Sequence, residues 1–213
     1  MEGFTGLNVE QAFAAIKRFH DTCNKAENDM ISAFNDLFET LEKKWASPVA
    51  VDFANRVTKD FTLLYKTFAT EYMHVASGAT AAGTALAKAN GLTFPQDFAV
   101  EAGAGNEIGV WYQCEPDING LVGMDKSTVK IAVDIFERKI TRVWVDLEGV
   151  SGGIAFYDTA GNLVNTYDRN IEGCIKKCME TCDNIVKDMK GYIETEIDNL
   201  MIAEREAAGR MSA

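Results

Sequence analysis

Apolar residues in the first part of the chain recur at steps of three and four, which is the spacing of one face of an amphipathic helix. Asn8 precedes this run and Gln11 follows three residues later, an arrangement typical of a helix N-cap. A helix of this length draws most of its stability from packing its apolar face on another element. The pattern therefore predicts a long helix whose apolar face packs on another element of the fold. Its apolar positions are Val9, Phe13, Ile16, Phe19, Cys23, Met30, Phe34, Leu37, Leu41 and Trp45.

A second apolar run begins directly after Trp45. Ser47 is a preferred N-cap residue, and Pro48 suits the first helical position because its missing N–H has no intrahelical acceptor there. Pro48 also disfavours helical geometry at Ser47, and Gly91 later offers a C-terminal stop. These signals predict a helical hairpin over residues 1–91 with its elbow at Trp45, Ser47 and Pro48. The second run contains Val49, Phe53, Val57, Phe61, Leu64, Phe68, Tyr72 and Val75.

The rest of the chain repeats this plan after an irregular stretch. Residues 92–124 hold two prolines and five glycines, which predicts a linker with room for a short hairpin at 108–114. A helical rhythm resumes at Lys126 and halts at the glycines of residues 149–153. The last apolar run then contains Phe156, Leu163, Tyr167, Ile171, Cys174, Cys178, Cys182, Ile185, Met189, Tyr192 and Leu200.

This second pair of runs predicts another helical hairpin over residues 125–213. The fold class that follows is all-α, with antiparallel long-helix hairpins forming a four-helix bundle with coiled-coil-like packing. An alternative stays open, because Val143, Val145 and Leu147 alternate along the chain and residues 158–162 carry turn residues. That alternative is an α+β fold with a small antiparallel sheet within residues 107–165.

Composition narrows the classes of function. The chain has 213 residues and a net charge of −11, with its basic residues scattered among acidic ones, so a nucleic-acid interface and an anionic membrane surface are both disfavoured. No run approaches the ~20 apolar residues of a membrane-spanning helix. The start of the sequence shows neither a basic leader nor an apolar signal core, which predicts that the general secretory route is not used.

The five cysteines invite a test for metal binding. Cys174, Cys178 and Cys182 are spaced by four residues and would form a row on one helix face, while Cys23 and Cys114 lie elsewhere. Structural zinc sites favour a second pair of ligands, and neither that pair nor a neighbouring histidine is present in the sequence. We therefore interpret the row as buried small hydrophobic residues, and we predict no metal.

Residues that carry catalysis do not form a recognisable pattern. His20 and His74 fall in helical runs without a triad around them, and the glycine-bearing segment 103–109 lacks the features of a P-loop. Glu194 and Glu196 fit a solvated helix face. The sequence therefore predicts a protein without enzymatic activity or cofactor.

An acidic helical hairpin with a tryptophan at its elbow resembles the WxG family of small type VII secretion substrates, to which the early secreted antigenic target proteins belong. The resemblance covers about residues 8–91 and rests on Trp45-Ala46-Ser47, where serine replaces the family's glycine. The family's proteins are two antiparallel helices that pair into four-helix dimers. The resemblance implies that residues 125–213 are a partner hairpin fused into the same chain.

The family's secretion signal is a tyrosine with an acidic residue four positions later, and Tyr192 and Glu196 have this spacing. The resemblance thus implies a non-enzymatic protein that is secreted or displayed on the cell surface without a cleaved signal peptide. Its partners would be proteins, either the secretion machinery or further copies of the chain. Two alternatives remain: a cytoplasmic helical scaffold or adaptor, and a membrane-active protein, suggested by the small residues of segment 76–90.

Overall fold

The computed structural model describes residues 6–95, 123–150, 153–167 and 171–211. Within these ranges the helices are α1 (Val9–Lys44), α2 (Pro48–Ala89), α3 (Lys126–Glu148) and α4 (Ile171–Met211). The strands there are β1 (Trp45–Ala46), β2 (Gly123–Met124), β3 (Ile154–Tyr157) and β4 (Leu163–Tyr167), and β1 pairs with β2 and β3 with β4, both antiparallel. The predicted all-α fold of long helical hairpins is confirmed, with two small sheets added. The hairpin expected at 108–114 lies outside the described residues.

The predicted ends of the first two helices are confirmed by their hydrogen bonds. The N–H of Gln11 donates to Asn8 Oδ1 at 3.0 Å, and the N–H of Ala50 donates to Ser47 Oγ at 3.2 Å. Each side chain thus satisfies an amide that has no partner inside the helix. After α2, Gly91 adopts a φ of 69°, a left-handed conformation that glycine reaches without steric cost.

The start of α3 is capped by Asp125. Its carboxylate accepts from the N–H of Thr128 at 3.1 Å and from the Thr128 hydroxyl at 2.8 Å. These bonds to the ionised form lower the pKa of Asp125. The Asp125 N–H donates in turn to the carbonyl of Lys44 at 2.8 Å, which ties the start of α3 to the end of α1.

The last apolar run needs a correction at its start. Phe156, Leu163 and Tyr167 were predicted to be helical, but they lie on β3 and β4, and the helix begins at Ile171. The Asp158 carboxylate accepts from the N–H groups of residues 160 and 162, both at 2.8 Å, and Gly161 adopts a φ of 86°. These local bonds stabilise a tight turn and compete with a helix.

The sheet alternative is therefore correct for residues 154–165 and wrong for residues 143–147. Val143 and Leu147 are buried and Val145 is 59% exposed, all within α3. On a helix, residues four apart share a face and the residue midway between them points away. A short alternation along the chain therefore fits a helix as well as a strand.

The chain divides into two compact units, and every long helix contributes to both. Unit 1 comprises Met1–Asp29, Tyr65–Asn106 and Arg142–Met179, and unit 2 comprises Met30–Leu64, Glu107–Thr141 and Glu180–Ala213. Each unit therefore draws on both predicted hairpins.

The core of unit 2 is aromatic. The rings of Phe34 on α1 and Phe61 on α2 stack at 4.6 Å with an interplanar angle of 10°, and the ring of Phe136 on α3 meets each of them edge-on. Nearer the elbow, Trp45, just after the end of α1, packs on Phe53 near the start of α2. Residues further along the first helix therefore contact residues earlier in the second. The two helices are therefore antiparallel.

The fourth helix of unit 2 is held on its outer side by ion pairs. Lys190 Nζ on α4 lies 2.6 Å from Glu137 and 3.0 Å from Asp134 on α3. Lys126 pairs with Glu204 at 3.6 Å, so α3 and α4 are also antiparallel. Exposed pairs of this kind contribute about 0–1 kcal/mol each, which makes them less important for stability than the aromatic core.

In unit 1, small residues of α2 make room for aromatic rings. A Cβ atom added at Gly83 would lie 2.8 Å from the ring of Phe94, and one added at Gly78 would collide with the hydroxyl of Tyr167 on β4. Glycine leaves room for these rings, and a larger residue at either position would require the facing ring to shift. The small residues of segment 76–90, which suggested a membrane-active protein, have a packing role here.

Candidate functional site

The elbow residue Trp45 is enclosed by its own unit. It is 1% exposed and lies on β1, where its backbone pairs with that of Met124 on β2. Ser47, also buried, directs the chain into α2. The predicted elbow of Trp45, Ser47 and Pro48 is therefore the point at which α1 ends and α2 begins.

Phe53 connects the elbow to the predicted secretion signal. Its ring centroid lies 5.1 Å from that of Trp45 and 5.4 Å from that of Tyr192 on α4. Both distances fall within the range of favourable aromatic contacts. Two features that the sequence shows separately, the Trp45 elbow and Tyr192, are thus brought together in unit 2.

Tyr192 and Glu196 both line an open groove of about 710 Å³ between α2 and α4, which we call the tyrosine groove. Tyr192 is partly buried, with one side of its ring against Phe53. Positions four apart on a helix lie on the same face, which places both side chains on this groove. Its lining residues are Val49, Arg56, Lys187, Asp188, Gly191, Tyr192, Thr195, Glu196 and Asn199.

The electrostatics of the groove raise the pKa of the tyrosine and so favour its neutral form. Burial raises the pKa of the Tyr192 phenol, and the carboxylates of Asp52 and Glu196 raise it further against the opposing effect of Arg56. At neutral pH the phenol therefore carries its proton and can donate a hydrogen bond. Arg56 lies 3.4 Å from Asp188 in an exposed ion pair.

The groove is suited to noncovalent recognition. It offers an aromatic surface and a phenol donor from Tyr192, a carboxylate acceptor from Glu196 and cationic groups from Arg56 and Lys187. Aromatic and arginine side chains are the residues that most often dominate protein–protein binding.

Comparisons with known proteins add nothing to this picture. No protein-family model, no curated protein and no solved structure matches this chain. The resemblance to the WxG family therefore rests on Trp45-Ala46-Ser47, on the spacing of Tyr192 and Glu196 and on the helical hairpin.

In the part of the chain that the structure describes, no helix combines the length and hydropathy of a membrane span. In the same residues, no group of three or more His, Cys, Asp or Glu side chains is arranged to hold a metal ion. Cys178 and Cys182 are buried, which confirms the core interpretation for them, whereas Cys174 is partly exposed and Cys114 lies outside the described ranges.

A second cluster of polar side chains lies inside unit 1. The Tyr72 hydroxyl donates to Glu27 Oε2 at 2.7 Å, and the ring of His20 lies 5.9 Å from the ring of Tyr72. Tyr72 is 0% exposed and Glu27 is 5% exposed, so neither presents a surface to a ligand. We interpret the pair as structural.

Replacing Glu27 with glutamine is expected to change how stability depends on pH. Burial raises the pKa of Glu27, although Tyr72 and His20 act in the opposite direction. The folded protein therefore holds this proton more tightly than the unfolded chain, and the wild type loses stability as pH rises from the ordinary glutamate pKa through the raised one. Glutamine cannot ionise, so the variant should melt at a higher temperature than the wild type at pH 7, with the difference shrinking at pH 4.

Thermal unfolding across this pH range, followed by circular dichroism, tests that expectation. Tyr72→Phe is the contrasting variant, because it removes the hydroxyl donor but keeps the carboxylate. It should cost about 1–3 kcal/mol at neutral pH. A Glu27→Gln protein less stable than the wild type at pH 7 would contradict the assignment.

Sequence reasoning missed Phe53, Asp52 and Arg56 as parts of the site. Phe53 was placed on the inward face of its helix, but nothing in the local pattern shows which ring it meets. Asp52 and Arg56 are exposed charges whose importance comes only from their proximity to Tyr192.

Proposed function

We propose that this protein is a non-enzymatic helical protein that resembles the type VII secretion substrates, is exported or displayed at the cell surface, and acts by binding other proteins. The observation that carries the proposal is the row of ring contacts from Trp45 through Phe53 to Tyr192. The two features that suggested the family are far apart in the sequence, and Phe53 connects them in unit 2.

The tyrosine groove is the proposed recognition surface. Tyr192 is partly exposed, and its ring packs on Phe53, which packs in turn on the buried Trp45. A side chain that is already ordered loses little conformational entropy when it binds, which favours affinity. Glu196, one turn further on α4, adds a carboxylate that directs the orientation of the partner.

Export is the test of this proposal. We expect Tyr192→Ala and Glu196→Ala each to reduce the amount of protein in the culture medium of the native host by at least about ten-fold, equivalent to ~1.4 kcal/mol of lost recognition. Cytoplasmic levels and thermal unfolding should be measured alongside, so that a loss of export is separated from a loss of folding. Tyr192→Phe keeps the ring and tests the hydroxyl alone.

Glu194→Ala is the matched control, because it removes the same charge two residues away from Glu196. Glu194 is exposed and is not among the residues that line the groove. We expect its export to match that of the wild type. Unchanged export of the Tyr192 and Glu196 variants would count against the proposal, and so would equal losses from all three positions.

A cytoplasmic scaffold or adaptor is the second candidate, favoured by a separate surface of unit 2. A groove of about 310 Å³ between α1 and α3 is lined by apolar side chains that include Ile131 and Ile135, which are 56% and 41% exposed. Asp36 and Lys139 pair at 2.6 Å at its edge. Fractionation of the native host separates the two candidates, because an adaptor remains with the cells.

A further inference from the structure

The described cysteines differ in their access to solvent. Cys23 and Cys182 are 0% exposed and Cys178 is 4% exposed, whereas Cys174 is partly exposed near the start of α4. A reagent in solution can therefore reach the sulfur of Cys174 more readily than the other three. Access is one of the two properties that make a thiol reactive, and the other is its ionisation.

A second thiol stands next to Cys174. The Sγ atoms of Cys174 and Cys178 are 4.0 Å apart, one turn from each other on α4. A disulfide bond is about 2.05 Å long, so a movement of about 2 Å would join them. Cys174 is in the first turn of α4, where the backbone amides lack intrahelical partners.

The surroundings of Cys174 also favour its thiolate. The hydrogen bond with Cys178 lowers the pKa of Cys174, and Lys177 lowers it too, against burial and the charge of Glu71 on α2, which raise it. Burial raises the pKa of Cys23, also in unit 1, to about 12, with Cys174 adding to the effect. The pKa values of Cys174 and Cys23 are thus shifted in opposite directions.

We infer that Cys174 is a site of thiol–disulfide exchange with small-molecule disulfides, and that Cys178 is the thiol that resolves the product. In the first step the Cys174 thiolate attacks one sulfur of the disulfide, forms a mixed disulfide and releases one thiolate. In the second step Cys178 gives its proton to solvent, attacks Cys174 Sγ and releases the other thiolate. Two protein thiols are oxidised by two electrons, and the small disulfide is reduced to two thiols.

The helix makes the second step slower than the first. The Cβ atoms of residues four apart on a helix are about 5–6 Å from each other, whereas a disulfide holds them at about 3.5–4.5 Å. The first turn of α4 must therefore distort before Cys178 can react. The mixed disulfide at Cys174 should accumulate briefly and then decay.

Oxidised glutathione is the probe for the first step. It is used on the full-length Cys114→Ser protein, so that reaction at Cys114, which lies outside the described residues, does not interfere. Trypsin cuts after Lys176 and Lys177 and so separates Cys174 from Cys178 and Cys182. Mass spectrometry of timed samples then measures each peptide. We expect glutathione to attach to Cys174 at least about ten-fold faster than to Cys23 or to the peptide of Cys178 and Cys182. Equal rates would overturn the inference.

Serine variants in the same background test the second step. Cys178→Ser should keep the glutathione on Cys174 for at least about ten-fold longer, because the resolving thiol is gone. Cys182→Ser is the matched control, since this buried cysteine is one turn beyond Cys178. This variant should still form the Cys174–Cys178 disulfide, which appears as a cross-link between the two tryptic peptides. The role of Cys178 would be refuted if glutathione stayed on Cys174 equally long with and without the Cys178→Ser change. Loss of the cross-link in Cys182→Ser would also refute it. Circular dichroism confirms that each variant is folded.

Discussion

Replacing Trp45 with alanine is expected to lower the free energy of unfolding by about 3–5 kcal/mol, the usual cost of truncating a large buried aromatic residue. Trp45 is 1% exposed, packs on Phe53 and lies on β1, which follows α1 and pairs with β2 just before α3. Its removal leaves a cavity where two helix ends and a sheet meet. Because a domain is stabilised by only about 5–15 kcal/mol, this change removes a large share of the total.

Urea denaturation followed by circular dichroism measures the effect of Trp45→Ala. Trp45→Phe is the control, because it keeps an aromatic ring against Phe53 and should cost less than half as much. Ala46→Ser changes a partly exposed side chain on the same strand. Its free energy of unfolding should lie within about 0.5 kcal/mol of that of the wild type. A Trp45→Ala protein as stable as the wild type would show that the elbow is not a packing centre.

Residues 1–91 expressed alone are expected to fail to form a stable monomer. In unit 2, Phe34 and Phe61 lose the ring of Phe136, and Phe53 loses Tyr192. In unit 1, Phe68 loses its contact with Trp144. An apolar face uncovered in this way drives self-association or leaves the side chains without fixed packing.

Sedimentation and near-ultraviolet circular dichroism distinguish these outcomes from a folded monomer. The isolated hairpin should dimerise, or it should keep its helical signal without a near-ultraviolet signal. Adding residues 125–213 as a separate chain should restore fixed packing, because those residues carry α3 and α4. A monomeric hairpin that unfolds cooperatively on its own would contradict the proposed single-chain equivalent of a paired-hairpin dimer.

The helices illustrate what sequence reasoning can reach. The ends of α1, α2 and α3 follow from Asn8, Ser47, Gly91 and the glycines after Leu147, since caps act on amides within the same turn. The inward faces follow from three- and four-residue spacing. The predicted start of α4 was wrong because the spacing of Phe156, Leu163 and Tyr167 also fits a helix. The hydrogen bonds that Asp158 accepts from residues 160 and 162 stabilise a turn instead.

The candidate site was predictable only in its separate parts. Trp45 and Tyr192 were selected from the sequence, one by its place between two helices and the other by its spacing to Glu196. Their connection through Phe53 was not predictable from the sequence. The pairing of β1 with β2 was not predictable either, because strands of two residues leave no alternation of apolar and polar residues to detect.

The sequence by itself determined the positions of α1, α2 and α3, the course of α4 after its start, the inward faces of these helices and the absence of a recognisable catalytic pattern, because these depend on residues close together in the chain. Only the tertiary structure decided that Phe53 links the elbow to Tyr192 and that Cys174 is more exposed than the other described cysteines. The physical reason is that helical periodicity specifies which side of a helix is buried but not which neighbour covers it. That choice depends on how the side chains of α1, α2, α3 and α4 fit one another.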